Sequence, residues 1–190
     1  MYFLLDRNNK PGRWINKKPY VGGVSWWSGA KILNNLPEPL EFTLKAYKPH
    51  SADHAQYMPA ILYSNPPLFR DDFICAILEF GVNNIDVYNV AISDPDDGAV
   101  YSNYKAVNII GLIPAADMVL SAATVHDGIP LIDVDFDGLV IDERKALGMM
   151  IFRLAESTKA IIIHQNLRDY LLEKGFGDDV EFYDTKDVAL

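Results

Sequence analysis

The chain has 190 residues, of which 49% are hydrophobic and 23% are charged, a balance typical of a folded globular protein rather than a disordered one. The net charge of −9 is uneven: residues 1–50 hold eight lysines and arginines against three acids, whereas residues 51–190 hold nine against twenty-three. Nucleic-acid binding needs clustered positive charge, so we expect no nucleic-acid partner. The acidic body either favours capture of a basic protein or serves solubility alone.

Cysteine usage and hydropathy predict a cytoplasmic protein. The single cysteine, Cys75, excludes an internal disulfide and a cysteine-rich zinc site, and its apolar neighbours predict a small core residue. The apolar run of residues 2–5 is too short for a secretory signal and has no basic lead-in. No stretch approaches the roughly 20 apolar residues that cross a bilayer, so we expect no membrane partner.

The first fifty residues are irregular, and they end in a predicted half-buried strand at residues 41–47, where apolar and polar side chains alternate. In the polar segment that follows, His50 and His54 would bind zinc only if they shared one helix face and found a third ligand. The neighbouring Pro49 favours an exposed loop instead.

Two stretches of the chain have the same pattern, a strand, an amphipathic helix, a glycine and a second strand. In the first stretch, the strand is residues 60–63, the helix residues 68–80, the glycine Gly81 and the second strand residues 85–92. In the second stretch, the same elements are residues 160–163, residues 166–174, Gly175 and residues 180–184. Glycine commonly ends a helix because it adopts the left-handed conformation at no steric cost. The spacing of about 94 residues with two copies indicates a duplication within one fold and not a solenoid.

Further strands are predicted at residues 104–111, around Val134 and Phe136, and within residues 148–156. Because helices and strands do not alternate one for one, we predict the α+β class, with mixed or antiparallel sheets and a twofold-repeated strand–helix–strand unit. We expect residues 1–190 to form a single domain, with two lobes, residues 1–100 and 101–190, as the alternative.

Residues 133–138 (DVDFDG) match the first half of a calcium loop, with Asp133, Asp135 and Asp137 at alternate positions and a glycine at the sixth. The twelfth position, where a bidentate glutamate should complete the site, is Arg144. The apolar residues between the acids suit a strand with an acidic face, so we predict no metal here. A metal-dependent enzyme or binding module that uses these three aspartates is the alternative.

Two acidic loops are the candidate contacts for a partner. The first contains Asp94, Asp96 and Asp97, and the second Asp178 and Asp179. Exposed carboxylates can bind basic side chains of a partner, although ordinary solvated turns have the same composition. No nucleophile elbow, phosphate-binding loop or dinucleotide motif occurs, so we predict a binding protein without a cofactor rather than an enzyme.

Four segments in order carry a family resemblance. They are residues 103–111 (NYKAVNIIG), 139–143 (LVIDE), 151–154 (IFRL) and the terminal strand–helix–strand unit, residues 160–183. Together they resemble the predicted immunity proteins of bacterial polymorphic toxin systems, a family formerly described only as a domain of unknown function. The resemblance covers residues 26–183 and is strongest after Tyr104. It departs at residues 163–166, where a serine and an acid often precede the last helix.

The resemblance implies no catalytic residues. It implies stoichiometric binding of a cognate toxin, which blocks the toxin's active site or its folding, and the acidic composition favours a basic toxin. A structural accessory protein of a secretion system is a further alternative.

Overall fold

A computed structural model describes residues 1–10, 12–46, 57–126 and 134–190 of the chain. The strands within these ranges are, in chain order, β1 (Tyr2–Arg7), β2 (Ile15–Lys17), β3 (Leu40–Leu44), β4 (Ile61–Leu62), β5 (Leu68–Arg70), β6 (Ile85–Ser93), β7 (Val100–Tyr101), β8 (Tyr104–Ile109), β9 (Leu112–Ile113), β10 (Ala123–Val125), β11 (Val134–Phe136), β12 (Ile151–Leu154), β13 (Ile161–His164) and β14 (Val180–Asp184). The helices are α1 (Asp71–Glu79), α2 (Glu143–Ala146) and α3 (Gln165–Glu173), with 3-10 turns at Phe176–Asp178 and Thr185–Asp187.

The strands form two large sheets and one small one. The five-stranded sheet has the order β14-β1-β13-β12-β9, the seven-stranded sheet has the order β2-β3-β6-β8-β5-β4 with β7 paired to β6, and β10 pairs with β11. The β3–β6 and β9–β12 pairs are parallel and the other pairs are antiparallel. The predicted α+β class with mixed sheets is therefore confirmed.

Neither large sheet is confined to one half of the chain. The N-terminal strand β1 lies in the five-stranded sheet among strands from the C-terminal half, and β8 lies in the seven-stranded sheet among strands from the N-terminal half. The two sheets therefore do not separate at residue 100. The single domain over residues 1–190 stays a prediction.

The topology contains the predicted repeated strand–helix–strand unit, although the leading strand of the first copy is β5 and not residues 60–63. In the units β5–α1–β6 and β13–α3–β14, the two strands are parallel and one antiparallel strand lies between them, β8 in the first unit and β1 in the second. Each helix has nine residues and begins directly after its strand. The units differ in connection, because β8 follows its unit along the chain whereas β1 precedes the second unit by most of the sequence.

Gly81 and Gly175 lie at equivalent helix ends, as predicted. Both are left-handed, with φ of 102° and 91°, and each N–H donates a 2.9–3.0 Å hydrogen bond to the carbonyl three residues earlier. The next residue is buried in both cases, Val82 after α1 and Phe176 after α3. A left-handed glycine followed by a buried apolar residue is a common way for a helix to end.

The start of the first predicted helix is wrong, because residues 68–70 form strand β5. Leu68 pairs with Ala106 of β8, and the Arg70 N–H donates to the Ala60 carbonyl at 2.9 Å. The strand equivalent to β13 is therefore β5, and residues 60–63 contribute the shorter β4, the counterpart of β12. Leu68 and Phe69 are fully buried in this strand. A short apolar run of this kind suits a buried strand as well as a buried helix, so the sequence pattern could not distinguish the two.

Both helices pack into a central core that also receives side chains from both large sheets. The fully buried helix residues are Phe73, Ile77, Leu167 and Leu171. The outer face of each large sheet carries a second apolar cluster, one against residues 113–123, residues 134–146 and the C-terminus, the other against residues 15–36. Cys75 is exposed, which corrects its prediction as a core residue. It lies about 200° around the helix from both Phe73 and Ile77, so it faces solvent.

Candidate interaction surface

The first predicted acidic loop is held by an ion pair with Arg13. The Arg13 guanidinium donates to Asp94 Oδ1 at 2.7 Å and to Asp96 Oδ2 at 2.9 Å. The side chain of Arg13 is only 10% exposed and that of Asp94 only 7%. Asp94 Oδ1 also accepts the Asp96 N–H at 3.0 Å. Asp97 accepts the Ala99 N–H and stays exposed. Asp94 and Asp96 thus hold the loop in shape, and Asp97 faces solvent.

The second acidic loop has the same division of roles. Asp179 accepts hydrogen bonds from Arg70 at 2.9 Å and from the Tyr57 hydroxyl, and its side chain is 20% exposed. Asp178 is 94% exposed and pairs with Lys10 at 3.2 Å. The half-buried carboxylate of Asp179 is therefore used inside the protein, whereas the carboxylate of Asp178 is exposed at the surface.

The structure brings the two loops together through one stretch of chain, residues 57–58. The Arg13 N–H donates to the Tyr57 carbonyl at 2.9 Å, while the Tyr57 hydroxyl reaches Asp179. Arg70 donates to the Met58 carbonyl at 3.2 Å. A continuous polar network, which we call the arginine network, therefore connects the loop after β6 with the turn before β14.

Burial and hydrogen bonds determine which groups of the network are charged. Burial and the hydrogen bond to Asp179 raise the pKa of Tyr57 to about 12, so the phenol stays a donor at neutral pH. Burial alone would raise the pKa of Asp179, but the hydrogen bonds from Arg70 and Tyr57 outweigh it and lower that pKa. The hydrogen bond to Asp72 raises the pKa of Arg70. Near neutral pH, Tyr57 is therefore neutral while Arg70 and Asp179 form an ion pair.

An exposed aromatic stack adjoins the arginine network, because Trp14 directly follows Arg13. The Arg7 guanidinium carbon is 3.4 Å from the ring centroid of Trp14 and 5.7 Å from that of Tyr63. Trp14 is 39% exposed and Tyr63 is 44% exposed, and the Tyr63 hydroxyl donates to Asp6. Tryptophan, tyrosine and arginine are the residues most enriched in binding hot spots. We refer to Trp14, Tyr63, Asp97 and Asp178 as the candidate surface.

Sequence reasoning missed this stack, as well as both arginines of the network. Arg7, Trp14 and Tyr63 come from three separate segments, and no local pattern relates them. The one usable signal was Trp14 directly before a short strand in a polar context, which is an unusual place for a large ring. The role of Asp94, Asp96, Asp97, Asp178 and Asp179 in partner binding stays a prediction.

The aspartate motif forms part of a strand. Val134 and Phe136 are buried in β11, and Asp135 Oδ2 on the opposite face accepts a 2.7 Å hydrogen bond from His126 Nε2. Asp133 lies outside the described residues, as do His50 and His54. Arg144 lies in α2 and pairs with Asp142 at 3.2 Å. Within residues 1–10, 12–46, 57–126 and 134–190, no group of three or more potential ligands could hold a metal ion.

Two of the motifs that carry the family resemblance contain a buried strand, β8 in residues 103–111 and β12 in residues 151–154. Asn108 of β8 is fully buried and donates to the Ala30 carbonyl at 2.9 Å. Arg153 of β12 is 3% exposed and donates to the Thr158 carbonyl at 3.0 Å, and burial lowers its pKa to about 10. Both side chains tie strands to neighbouring loops, which is a structural role.

Comparison with known proteins adds no relative to these observations. Neither the protein-family models nor the curated proteins include a match to this chain. Among the described residues, none of the helices has the length and apolar character needed to span a membrane.

Proposed function

We propose that this protein neutralises a cognate bacterial toxin by binding it stoichiometrically. The observation that carries the proposal is the connection of both acidic loops through the arginine network, in which Arg13 directly precedes the exposed Trp14, whose ring shares the Arg7 guanidinium with Tyr63. The resemblance to predicted immunity proteins supports it independently, because that family binds its partner and has no catalytic role.

The candidate surface has the composition of a protein-binding site. Trp14 and Tyr63 supply large, rigid contact areas, and the arginine network holds the backbone around them. Asp97 and Asp178 are exposed, and exposed carboxylates attract a basic partner and raise its association rate. Preformed geometry reduces the entropy lost on binding. The partner that fits this surface is a basic toxin domain.

The test is co-expression with the toxin gene that neighbours this one. We expect the protein to prevent killing and to remain with the toxin through gel filtration. Trp14→Ala should weaken the complex by about 2 kcal/mol or more, since hot-spot aromatics typically contribute that much. Asp97→Asn with Asp178→Asn should slow association and flatten its salt dependence, at a cost of about 0.2–1 kcal/mol for each exposed pair.

The matched control is Glu41→Gln with Asp137→Asn, which removes the same charge from exposed positions outside the candidate surface. It should leave the association rate close to that of the wild type. Equal killing with and without this protein, together with the absence of a complex on gel filtration, would refute the proposed function.

A further inference from the structure

The edge strand β14 offers an unusually regular edge for strand pairing. All five of its residues pair with β1 in unbroken register, from Phe3↔Asp184 to Arg7↔Val180. Among the described residues, no backbone or side-chain group hydrogen-bonds to the main chain of residues 180–184 from the other side. The other edge strands of the two large sheets, among the described residues, are shorter or irregular: β4, β7 and β9 have two residues each, and β2 has three with a register shift. Short or irregular edges are poor pairing sites, whereas β14 is long enough to accept a further strand.

The edge is also strongly acidic. Residues 177–190 contain five acids and one lysine, Lys186. Glu181 lies directly opposite Asp6 of β1, and like charges at directly opposed positions of a sheet repel each other. Burial raises the pKa of Asp6, and the Glu181 carboxylate adds to that effect. Glu181 therefore has an acidic and not a basic residue opposite it in β1.

We infer that the free edge of β14 binds an extended basic segment of the partner protein as an additional strand, with a lysine or arginine of that segment beside Glu181. This inference rests on the proposed function and specifies how the partner is held. Main-chain hydrogen bonds would supply affinity and the charges would supply selectivity. Pairing of β14 with a second copy of this chain is disfavoured, because it would bring two acidic edges together.

The experiment uses the full-length protein and two capped heptapeptides, one alternating lysine with valine and the other alternating glutamate with valine. Hydrogen exchange and amide NMR shifts report where each peptide binds. We expect the lysine peptide alone to slow exchange of amides within residues 180–184. Glu181→Lys should weaken this binding about tenfold, because an attraction becomes a repulsion. Glu41→Lys, the matched change at an exposed glutamate of β3, should leave it within about twofold.

Equal binding of both peptides, protection outside residues 180–184, or no binding at about 1 mM lysine peptide would overturn the inference. A dimer of this chain that pairs through β14 would also overturn it. These outcomes need no toxin, so they are separate from the co-expression result. If Glu181→Lys neutralises the toxin as well as the wild type does, the edge inference fails while the proposed function stands.

Discussion

Arg13→Met should strongly destabilise the protein, although Arg13 lies in a loop segment. The substitution keeps an unbranched apolar side chain but removes the cation that compensates Asp94, whose side chain is 7% exposed. Loss of one partner leaves the remaining carboxylate buried and unpaired, which typically costs about 3–5 kcal/mol. We expect about 3 kcal/mol here, since Asp94 keeps its hydrogen bond from the Asp96 N–H.

Lys10→Met is the matched control. It also removes a cation from an ion pair with an aspartate, but the side chains of Lys10 and Asp178 are 53% and 94% exposed. Solvent screens such a pair, so its loss should cost less than about 1 kcal/mol. Burial, rather than the number of ion pairs, therefore decides the difference between the two variants.

Urea denaturation followed by circular dichroism measures both changes in the free energy of unfolding. The double variant Arg13→Met with Asp94→Asn should recover about 1–3 kcal/mol relative to the sum of the single changes, because the unpaired charge is then removed. If Arg13→Met shifts the unfolding midpoint no further than Lys10→Met does, the reasoning from burial is refuted. A binding test that replaces Asp94 would also be confounded by unfolding, which is why the association experiment uses Asp97 and Asp178.

Three other predictions concern the helix ends, the network and the aspartate motif. Gly81→Ala and Gly175→Ala should each cost about 1–2 kcal/mol in urea denaturation, because both residues are left-handed, and Gly22→Ala should cost almost nothing. The folded state raises the pKa of Tyr57 from 10.0 to about 12, so the stability that its neutral phenol contributes is complete below pH 10.0 and is lost as the pH rises towards 12. The Tyr57→Phe variant has no phenol to titrate. Its free energy of unfolding should therefore fall less steeply than that of the wild type across this range. A wild-type curve parallel to that of Tyr57→Phe would contradict this. Isothermal titration with calcium or magnesium should give no stoichiometric heat at the motif that includes Asp135 and Asp137, since Arg144 replaces the closing ligand; a micromolar signal would show that prediction to be wrong.

Local signals were sufficient for features that depend on neighbouring residues along the chain. The apolar stripe of α1, its end at Gly81 and the alternation of β11 follow from periods of 3.6 and 2 and from the conformational freedom of glycine. The duplication was visible for the same reason, because both units repeat those local signals in the same order. The acidic loops were located correctly as turns.

Tertiary structure decided every feature that depends on partners distant in the sequence. Residues 68–70 became a strand because β8 supplies their backbone hydrogen bonds, and β1 completes the second unit from the opposite end of the chain. The sequence showed five aspartates in two loops, but only the fold placed Arg13 and Arg70 against Asp94 and Asp179. Burial of those pairs separates structural carboxylates from exposed ones, and burial is a property of the folded chain that no local pattern encodes.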